Sequence, residues 1–395
     1  MSQIVDVAIV GAGPAGAATA RRLAACGCRV ALVERSRFEQ PRVGESLAPA
    51  VQPLLRDLGV WDAFVELRPL PSYGTRSVWG SDTAEEHSHL VTPFQQGWHV
   101  ERLGFDRMLA EAARGAGAQL LLGARVQSCA VNRSRFVLRL MQADRSMSLE
   151  ADFIIDATGR GGAVGVRLGA YREVFDRLVA VAAVLDDLAA GDHCYTLVET
   201  TTDGWWYSAP VDVDRSVAML MADGDLLRAH VATDAEYWRR ALQLTSFTCA
   251  RMGTGPLRWG PRAFSAVSQR LIRTDGARLH WLAVGDATLS VDPISGSGVI
   301  RALRTAHAAA ETVIATLSGD AGAIARYEDD RDMECTSYLT TRAGYYDIER
   351  RWAGSTFWDR RSAVVNHRSL DPWSAGSCRD LPKSAGGTDI SPREG

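Results

Sequence analysis

The sequence feature that most constrains the fold is a glycine-rich turn near the start of the chain. Residues 4–10, IVDVAIV, form a short apolar run of strand-forming residues that ends at GAGPAG, residues 11–16. A helix-forming run, AATARRLAA, follows, and then a second strand-like run, RVALVER, which ends near Glu34. A strand, a glycine turn, a helix and a second strand with an acidic residue at its end are typical of a fold that binds a dinucleotide.

Each glycine of this turn has its own predicted role. Gly11 permits the tight turn, Gly13 lets the backbone approach a pyrophosphate, and Gly16 lets the helix pack closely on the sheet. The start of the helix would face the phosphates with free N–H groups and a favourable dipole. Glu34 would accept hydrogen bonds from the adenosine ribose and would repel a 2′-phosphate.

Two later stretches indicate which dinucleotide is bound. Residues 152–160, DFIIDATGR, and residues 281–298, WLAVGDATLSVDPISGSG, each begin as an apolar strand and end in a polar glycine turn. Asp286 stands at a strand end, where its carboxylate can bind a hydroxyl of a sugar alcohol. The amides of residues 295–299 can stabilise negative charge on a ring system. Both features suit the ribityl chain and isoalloxazine of FAD, since nicotinamide nucleotides have no ribityl group.

An ordinary helix N-cap is the alternative explanation for some of this pattern. Asp292-Pro293, followed by Gly296 and Gly298, could be a turn that only leads into the long helix after it. That explanation accounts for the capping but leaves Gly285-Asp286-Ala287 unexplained. We therefore predict FAD as the cofactor.

Composition and charge exclude several classes of partner. The chain has 395 residues, so two closely joined domains are expected. Its formal net charge is −3, so binding to nucleic acid is not expected. No apolar run is long enough to span a bilayer, and no membrane insertion is predicted. The chain passes from MSQIVD directly into a strand, so no signal peptide is predicted and we expect a cytoplasmic protein. Its 7 cysteines are scattered, which predicts reduced thiols and no metal site.

Arginine supplies nearly all of the positive charge. Lys383 is the only lysine in the sequence, and it lies in a tail rich in glycine, serine and proline. Arginine keeps its proton near neutral pH, so a mechanism that needs an active-site lysine has no candidate before residue 383. The tail, residues 363–395, has no apolar periodicity, and we expect it to be disordered.

Taken together, these motifs resemble those of the FAD-dependent monooxygenases that have the p-hydroxybenzoate-hydroxylase fold. The resemblance covers roughly residues 4–360 and rests on GAGPAG, on the DATGR turn, and on GDA followed by DP and GSG. Gly44-Glu45-Ser46 in PRVGESLAP narrows it to the branch that contains the flavin-dependent halogenases. The resemblance implies that NAD(P)H reduces FAD, and that the reduced flavin reacts with oxygen to give an electrophilic hydroperoxide.

The resemblance also implies the fold class. It is an α/β fold in which a Rossmann-like FAD-binding domain is interleaved with a mixed β-sheet substrate domain and followed by a C-terminal helical region. The FAD-binding domain is expected to take three segments of the chain, at 1–72, 101–172 and 271–320. The substrate domain is expected to take two segments, at 73–100 and 173–270. The helical region at 321–362 and the tail at 363–395 complete the chain.

The motifs and the resemblance together give a set of cofactor-binding residues. Arg102 in VERLGFDRMLAEAA matches the family's element of an arginine followed by a helix, which contacts the cofactor. The remaining positions are predicted from the turns described above and from the resemblance. The predicted set is Gly11, Gly13, Ala15, Gly16, Glu34, Arg35, Arg42, Ser46, Arg102, Val126, Gly159, Asp286, Pro293, Gly296, Gly298 and Val299.

Three residues are candidates for moving protons during catalysis. His99, beside Trp98, is the first of them, and Glu45 and Tyr73 follow. A histidine has an ordinary pKa close to neutral pH, which suits a general acid or base. The alternative for His99 is a histidine at a strand end that is hydrogen-bonded for structural reasons alone.

The run DGWWYSAP, residues 203–210, is the main candidate for the substrate pocket. Neighbouring residues of a strand point to opposite faces, so Trp205 and Trp206 cannot both line one pocket. Flavin-dependent halogenases carry Trp-x-Trp-x-Ile-Pro in the corresponding region, and this chain keeps Trp205 but has Tyr207 in place of the second tryptophan. We predict that Trp79, Trp205 and Tyr207 line an aromatic pocket, and core packing is the alternative for each.

The resemblance favours hydroxylation over halogenation, because halogenases deliver hypohalous acid with a lysine that this chain lacks before residue 383. A narrower likeness lies in YYDIERRWAGSTFWDRR, residues 345–361, together with SYGTRSVWGSD, residues 72–82. These stretches resemble flavoproteins that mature quinone cofactors by hydroxylating a tryptophan of a partner protein. The implied substrate is therefore a tryptophan side chain of a protein or peptide. A halogenase, a small-molecule hydroxylase and a flavin-loaded maturation factor without redox chemistry remain alternatives.

Overall fold

The structure is a computed structural model, and it describes residues 3–132, 135–186, 194–227, 234–252, 255–276 and 278–362. Lys383 and the tail that is expected to be disordered lie outside these residues. The strands, in chain order, are β1 (Gln3–Val10), β2 (Val30–Glu34), β3 (Ser46–Leu47), β4 (Leu70–Ser72), β5 (Gly74–Val78), β6 (Glu85–Ser88), β7 (Gly97–His99), β8 (Gln119–Leu122), β9 (Ala124–Asn132), β10 (Arg135–Gln142), β11 (Arg145–Asp156), β12 (Tyr171–Val174), β13 (Leu178–Asp186), β14 (Tyr195–Thr201), β15 (Gly204–Asp212), β16 (Arg215–Asp223), β17 (Leu257–Ser265), β18 (Gln269–Ile272), β19 (Trp281–Ala283) and β20 (Leu289–Ser290). The helices are α1 (Pro14–Ala25), α2 (Val51–Asp57), α3 (Trp61–Glu66), α4 (Arg102–Gly115), α5 (Ala163–Arg167), α6 (Ala235–Leu242), α7 (Phe247–Met252), α8 (Gly298–Leu317), α9 (Ala323–Ile348) and α10 (Thr356–Ser362).

The first glycine turn belongs to a seven-stranded sheet with the order β8-β2-β1-β11-β10-β9, in which β19 also pairs with β11. β1 runs parallel to β2 and β11, and β10 is antiparallel to both of its neighbours. Helices α1, α4 and α8 cover one face, where their side chains pack on Val7, Ile9 and Leu32. The residues of β2, VALVE, are buried throughout, as expected for a parallel strand that is covered on both faces.

A second seven-stranded sheet, with the order β17-β13-β16-β15-β14-β5-β6, is mostly antiparallel. Its strands present side chains to two separate apolar clusters, so that Trp205 belongs to one cluster and Trp206 to the other. Helices α9 and α10 cover a portion of the first face through Tyr346 and Phe357. Helix α6 covers the opposite face through Trp238.

The two large sheets are built from alternating stretches of the chain. The first sheet takes its strands from residues 3–34, 119–156 and 281–283, and the second from residues 74–88, 178–223 and 257–265. Two three-stranded sheets, β3-β7-β4 and β12-β18-β20, come from the stretches that connect or flank them. The predicted α/β fold class, with two interleaved sheet domains and a C-terminal helical region, is confirmed. The residue boundaries of the domains stay predictions.

Three properties of the described residues bear on partners and metals. None of the described helices has both the length and the apolar character that crossing a bilayer requires. The same residues include no group of three or more His, Cys, Asp or Glu side chains that could bind a metal ion. Each described cysteine is a free thiol, as the scattered spacing predicts.

Candidate active site

The predicted phosphate turn lies at the carboxyl end of β1, where α1 begins. Gly11 has a φ of +107°, and a Cβ there would overlap the carbonyl oxygen of Ala157. A Cβ at Gly16 would overlap the carbonyl oxygen of Gly11, so the helix packs on the turn with no room for a side chain. A Cβ at Gly13, in contrast, would meet no described atom within 4 Å. The protein's own packing therefore requires Gly11 and Gly16, whereas Gly13 opens onto free space.

Gly285 lies where the N-terminal parts of α1 and α8 come together. A Cβ at Gly285 would lie 2.8 Å from the Cβ of Ala15, in the first turn of α1, and 3.7 Å from the Cβ of Ala302 in α8. Ala157, which contacts Gly11, precedes the second predicted turn. The three turns that the sequence singles out, far apart along the chain, therefore meet in one place.

The starts of α1 and α8 fit a ligand with negative charge. The N-cap of α1 is Gly13, which has no side chain, and the side chain of Ser297, the N-cap of α8, makes no capping hydrogen bond among the described residues. A Cβ at Gly296 or Gly298 would also meet no described atom within 4 Å. Uncapped helix starts beside open glycine backbone are ready to bind anionic groups. The residues present thus fit FAD, and the position of its pyrophosphate at α1 and of its ring at α8 stays a prediction.

Asp286 lies beside this region with its carboxylate only partly covered. Its Oδ2 is 3.5 Å from Nε of Arg160, and the two side chains are 35% and 24% exposed, so both are within reach of a ligand. Arg160 is fixed by the carbonyl oxygens of Val267 and Val291, to which it donates at 2.7 Å and 3.0 Å. Arg160 was absent from the predicted set, although its place in DATGR directly after Gly159 was a signal for it.

Glu34 closes the first turn from the end of β2. Its Oε2 accepts the backbone N–H of Ala12 at 2.9 Å, and its Oε1 accepts the N–H and the hydroxyl of Ser36 at 2.9 Å and 2.7 Å. The side chain is buried, so these bonds hold the carboxylate in one orientation. The glycine turn and the acidic residue are therefore one hydrogen-bonded unit, and ribose binding by Glu34 stays a prediction.

A buried aspartate organises the two predicted arginines. Asp106 accepts from Nη1 of Arg42 at 2.6 Å and from Nε of Arg102 at 3.2 Å. Arg102 also donates to the carbonyl oxygens of Val43 and Gly44, and so ties α4 to the turn before Glu45. Sequence reasoning missed Asp106, although its spacing of four residues from Arg102 on one helix was a signal.

The remaining predicted cofactor residues lie around these turns, and their contacts with FAD stay predictions. Arg35 is exposed after β2, and Val126 is half-buried in β9. Gly159 has a φ of +68° in the turn after β11. Pro293 and Val299 are half-buried at the two ends of the turn that leads into α8.

The Ser46 hydroxyl is the centre of a polar cluster between the small β3-β7-β4 sheet and the second large sheet. Its Oγ lies 3.1 Å from Nδ1 of His99, 2.7 Å from Oγ1 of Thr196 and 2.8 Å from the hydroxyl of Tyr207. Ser46 and His99 face each other across the antiparallel pair of β3 and β7, while Thr196 and Tyr207 come from β14 and β15. The cluster thus joins a predicted cofactor residue, a predicted catalytic residue and a predicted pocket residue. No sequence signal pointed to Thr196.

His99 is fully buried in this cluster. Burial lowers the pKa of its imidazole to about 3, and the nearby charges of Arg251 and His89 act in the same direction. The ring is therefore neutral at physiological pH. Its Nε2 is buried and has no hydrogen-bond partner among the described residues. A neutral ring with one unpaired nitrogen can bind a polar group that reaches it, but it does not act as a positive charge.

Glu45 has the carboxyl group most suited to proton exchange in this region. Its Oε2 accepts the backbone N–H of Gly44 at 2.9 Å. Burial raises the pKa of this carboxyl to about 7, while the backbone hydrogen bonds and the charge of Arg102 oppose the rise. Tyr73, the third candidate, is half-buried before β5, where its backbone bonds to Cys194 and His89. Among the described residues, Tyr73 makes no hydrogen bond to the Ser46 hydroxyl.

The two neighbouring tryptophans lie on opposite faces of the second sheet, as expected. Trp205 is fully buried, and its indole N–H donates to the hydroxyl of Tyr346 at 3.1 Å. Trp206 is also buried and packs on Trp238, with 5.4 Å between ring centroids. The half-buried Trp79 stacks edge-on against Trp205 at 6.1 Å. Lining of a substrate pocket by Trp79, Trp205 and Tyr207 stays a prediction.

Comparison with known families and proteins gives matches along almost the whole chain. The sequence profile described as FAD binding domain matches residues 4–339. LodB of Marinomonas mediterranea, described as an FAD-dependent oxidoreductase, is 28% identical over 374 aligned residues that cover 92% of this chain and 99% of LodB. Several other relatives, from Armillaria mellea, are described as flavin-dependent halogenases.

Two solved structures share the fold. The myxobacterial chondrochloren halogenase CndH has a TM-score of 0.84 at 22% identity, with coverage of 92% of this chain and 87% of CndH. QhpG, a peptidyl tryptophan dihydroxylase described as essential for tryptophylquinone cofactor biogenesis, has a TM-score of 0.74 at 23% identity, with coverage of 93% of this chain and 80% of QhpG. At such identities the likeness shows the fold alone.

Proposed function

Because this chain belongs to the FAD binding domain family, we propose that it is an FAD-dependent oxidoreductase that transfers oxygen to an electron-rich aromatic group. The observation that carries the proposal is the position of one face of the second sheet. Trp205 and Tyr207 on that face share an apolar cluster with Val43, next to the Gly44-Glu45-Ser46 turn, and with Ile294, in the proposed flavin turn. A group held against this face would lie beside FAD and away from water, as oxygen transfer requires.

The residues around Ser46 would hold the substrate and move protons. FAD, when bound and reduced, supplies the activated oxygen. Glu45, with a pKa of about 7, can accept and release a proton at neutral pH. The Ser46 hydroxyl links the neutral ring of His99 to the hydroxyl of Tyr207, and burial raises the pKa of that phenol so that it stays protonated. These groups can therefore donate hydrogen bonds to the substrate while Glu45 exchanges the proton.

The proposed substrate is a tryptophan side chain of a partner protein or peptide, oxidised during maturation of a quinone cofactor. Its support is the stretch YYDIERRWAGSTFWDRR, residues 345–361, and a fold shared with a peptidyl tryptophan dihydroxylase. NAD(P)H is proposed as the electron donor.

Halogenation of an aromatic compound is the second candidate function. The relatives favour it, because several are described as halogenases and CndH superposes with a TM-score of 0.84. The composition opposes it, because Lys383 is the only lysine and halogenases use a lysine between the Gly44-Glu45-Ser46 turn and the later FAD turns. The two candidates share FAD and an aromatic substrate and differ in the atom that is transferred.

Intact-mass analysis tests the proposal. The purified protein is incubated in air with FAD, with NADH or NADPH, and with N-acetyltryptophanamide or a tryptophan-containing peptide, in the presence and absence of a separate flavin reductase. We expect the substrate to gain the mass of one or two oxygen atoms without any added halide. The same incubation with chloride or bromide is the control.

Two other outcomes would decide against hydroxylation. A mass gain that requires chloride or bromide would establish the halogenase. A protein that binds both FAD and a tryptophan-bearing partner, but leaves the mass of the partner unchanged, would establish a maturation factor without redox chemistry.

A further inference from the structure

One buried carboxylate joins the proposed flavin turn to the rest of the molecule. Asp292, directly before Pro293, has no exposed surface. Its Oδ1 accepts the backbone N–H of Ile294 at 3.1 Å. Its Oδ2 accepts the hydroxyl of Tyr346 at 2.8 Å and Nε of Arg342 at 3.3 Å. One oxygen is thus held by its own turn and the other by a helix from the end of the chain.

The contacts on Asp292 come from one face of α9. Tyr338, Arg342 and Tyr346 are spaced four residues apart, so they form a row along the helix. The hydroxyl of Tyr338 accepts the backbone N–H of Asp292 at 2.8 Å. The guanidinium of Arg342 lies over the ring of Tyr346, 5.5 Å from its centroid. Successive turns of one helix therefore fix the position of a single residue of the flavin turn.

The same face of α9 also binds the second sheet. The indole N–H of Trp205 donates to the hydroxyl of Tyr346 at 3.1 Å, and Nη2 of Arg342 lies 2.9 Å from Oδ2 of Asp176, just before β13. Burial, together with the charge of Asp292, raises the pKa of Tyr346 well above its ordinary value, so the hydroxyl keeps its proton. The direction of both bonds is fixed, since an indole N–H can only donate and a carboxylate can only accept.

We infer that Tyr346 is a positioning residue that sets the flavin turn at Pro293 against the substrate face of the second sheet. Its hydroxyl spans the two with one hydrogen bond on each side, to Trp205 on the sheet and to Asp292 at the turn. The inference rests on the proposed FAD site and does not depend on which aromatic group is oxidised. It goes beyond that proposal by giving the C-terminal helical region a role in holding the flavin.

Tyr346→Phe tests this inference, because it removes the hydroxyl and keeps the ring in its contacts with Trp79, Phe357 and Trp358. In the purified holoprotein we expect the visible absorption bands of the bound flavin to shift, since the turn beside the ring is no longer held. We also expect FAD to dissociate about tenfold faster than from the parent, the effect of losing one buried bond to a charged partner. Release is followed by the recovery of flavin fluorescence on dilution.

Tyr327→Phe is the matched control. Tyr327 is buried on the same helix, and its hydroxyl donates to the carbonyl oxygen of Ala283 at 2.7 Å, so the variant loses a buried hydrogen bond of similar length. Its stability should fall by less than that of Tyr346→Phe, which loses two buried hydrogen bonds, and its flavin bands should stay in place. Tyr338→Phe, a second variant from the row on α9, should shift the flavin bands as Tyr346→Phe does.

The results separate failure of this inference from failure of the proposed cofactor. Flavin bands and release rates in Tyr346→Phe that match those of the parent would overturn the positioning role. Equal changes in the flavin bands and in the rate of FAD release in Tyr346→Phe and Tyr327→Phe would overturn the positioning role too, because they would indicate general loosening of α9. A parent protein that retains no FAD would overturn the cofactor assignment itself, and the positioning role with it.

Discussion

Two glycines of the same turn differ in what requires them. Gly16 is required by the protein itself, since a Cβ there would overlap the carbonyl oxygen of Gly11. Gly13 has open space in front of it, so the fold tolerates a side chain that would occupy the approach of a pyrophosphate. At the scale of single residues, substitutions at these two positions should therefore separate loss of cofactor from loss of stability.

Gly13→Val should yield a folded protein with little or no bound FAD. Gly16→Val should instead lower the stability whether or not FAD is present, because overpacking costs about 1–3 kcal/mol or more. Flavin absorbance and thermal melting of both variants, beside the parent stripped of FAD, check this pair. A Gly13→Val protein that keeps a full complement of FAD would refute the phosphate role of the turn.

Glu45 should make the stability depend on pH just below neutrality. Burial raises the pKa of its carboxyl from 4.5 to about 7, so between these values the folded protein keeps a proton that the unfolded chain has released. The contribution of Glu45 to the free energy of unfolding should therefore fall as pH rises through this window and level off above it. The total change should be on the order of 3 kcal/mol.

Glu45→Gln removes this titration and keeps the shape of the side chain. The measured quantity is the difference in the free energy of unfolding between the parent and the variant, from urea titrations at several pH values. The difference cancels other titrating groups, including His99. The free energy of unfolding of the parent, minus that of the variant, should decrease as pH rises from about 4.5 to about 7. A difference that does not change with pH would show that Glu45 titrates normally.

At the scale of elements, the alternation along β15 predicts the two faces of the sheet but not what covers them. Trp205 and Trp206 lie on opposite faces, as the period of a strand requires. Tyr346 on α9 covers Trp205 from the far end of the chain, and no local pattern connects the two. The same holds for Thr196 and Ser46, which meet although they are 150 positions apart. Local patterns therefore predicted strands and glycine turns, and the family resemblance predicted the fold class, while contacts between distant elements needed the structure.

Trp205→Ala and Trp206→Ala should cost similar stability and differ in catalysis. Each empties a fully buried site, which costs about 3–5 kcal/mol. Trp205→Ala also changes the face proposed to hold the substrate, so more oxygen should be lost as hydrogen peroxide for each NAD(P)H oxidised. Trp206→Ala alters the face under α6 and should leave the peroxide yield unchanged. Melting and peroxide yield are measured on the same preparations, and equal yields would place Trp205 in the core alone.

At the scale of the whole molecule, the proposed FAD site draws on residues 11–16, 285–287 and 293–298. The first of these ranges follows β1, the first strand of the large sheets, and the other two follow β19, the last strand of those sheets. Because the two sheets alternate in sequence, the protein should unfold as one unit. FAD at a hundred times its dissociation constant should add about 2.7 kcal/mol to the free energy of unfolding. Calorimetry should show one unfolding transition, and its temperature should rise when FAD is added. Two transitions, one of which keeps its temperature when FAD is added, would show that the sheets unfold separately.

The alternating order of the sheets also determines when the cofactor can be acquired during biosynthesis. A nascent chain leaves the ribosome from its N-terminus, so the first glycine turn emerges long before β19 and α8. Until those elements have emerged, the first sheet lacks the strand beside the end of β11, and the turn proposed to hold the ring does not exist. If FAD binds at these turns, we expect it to be acquired only after most of the polypeptide has been made, and a fragment whose translation stalls before α8 to lack flavin.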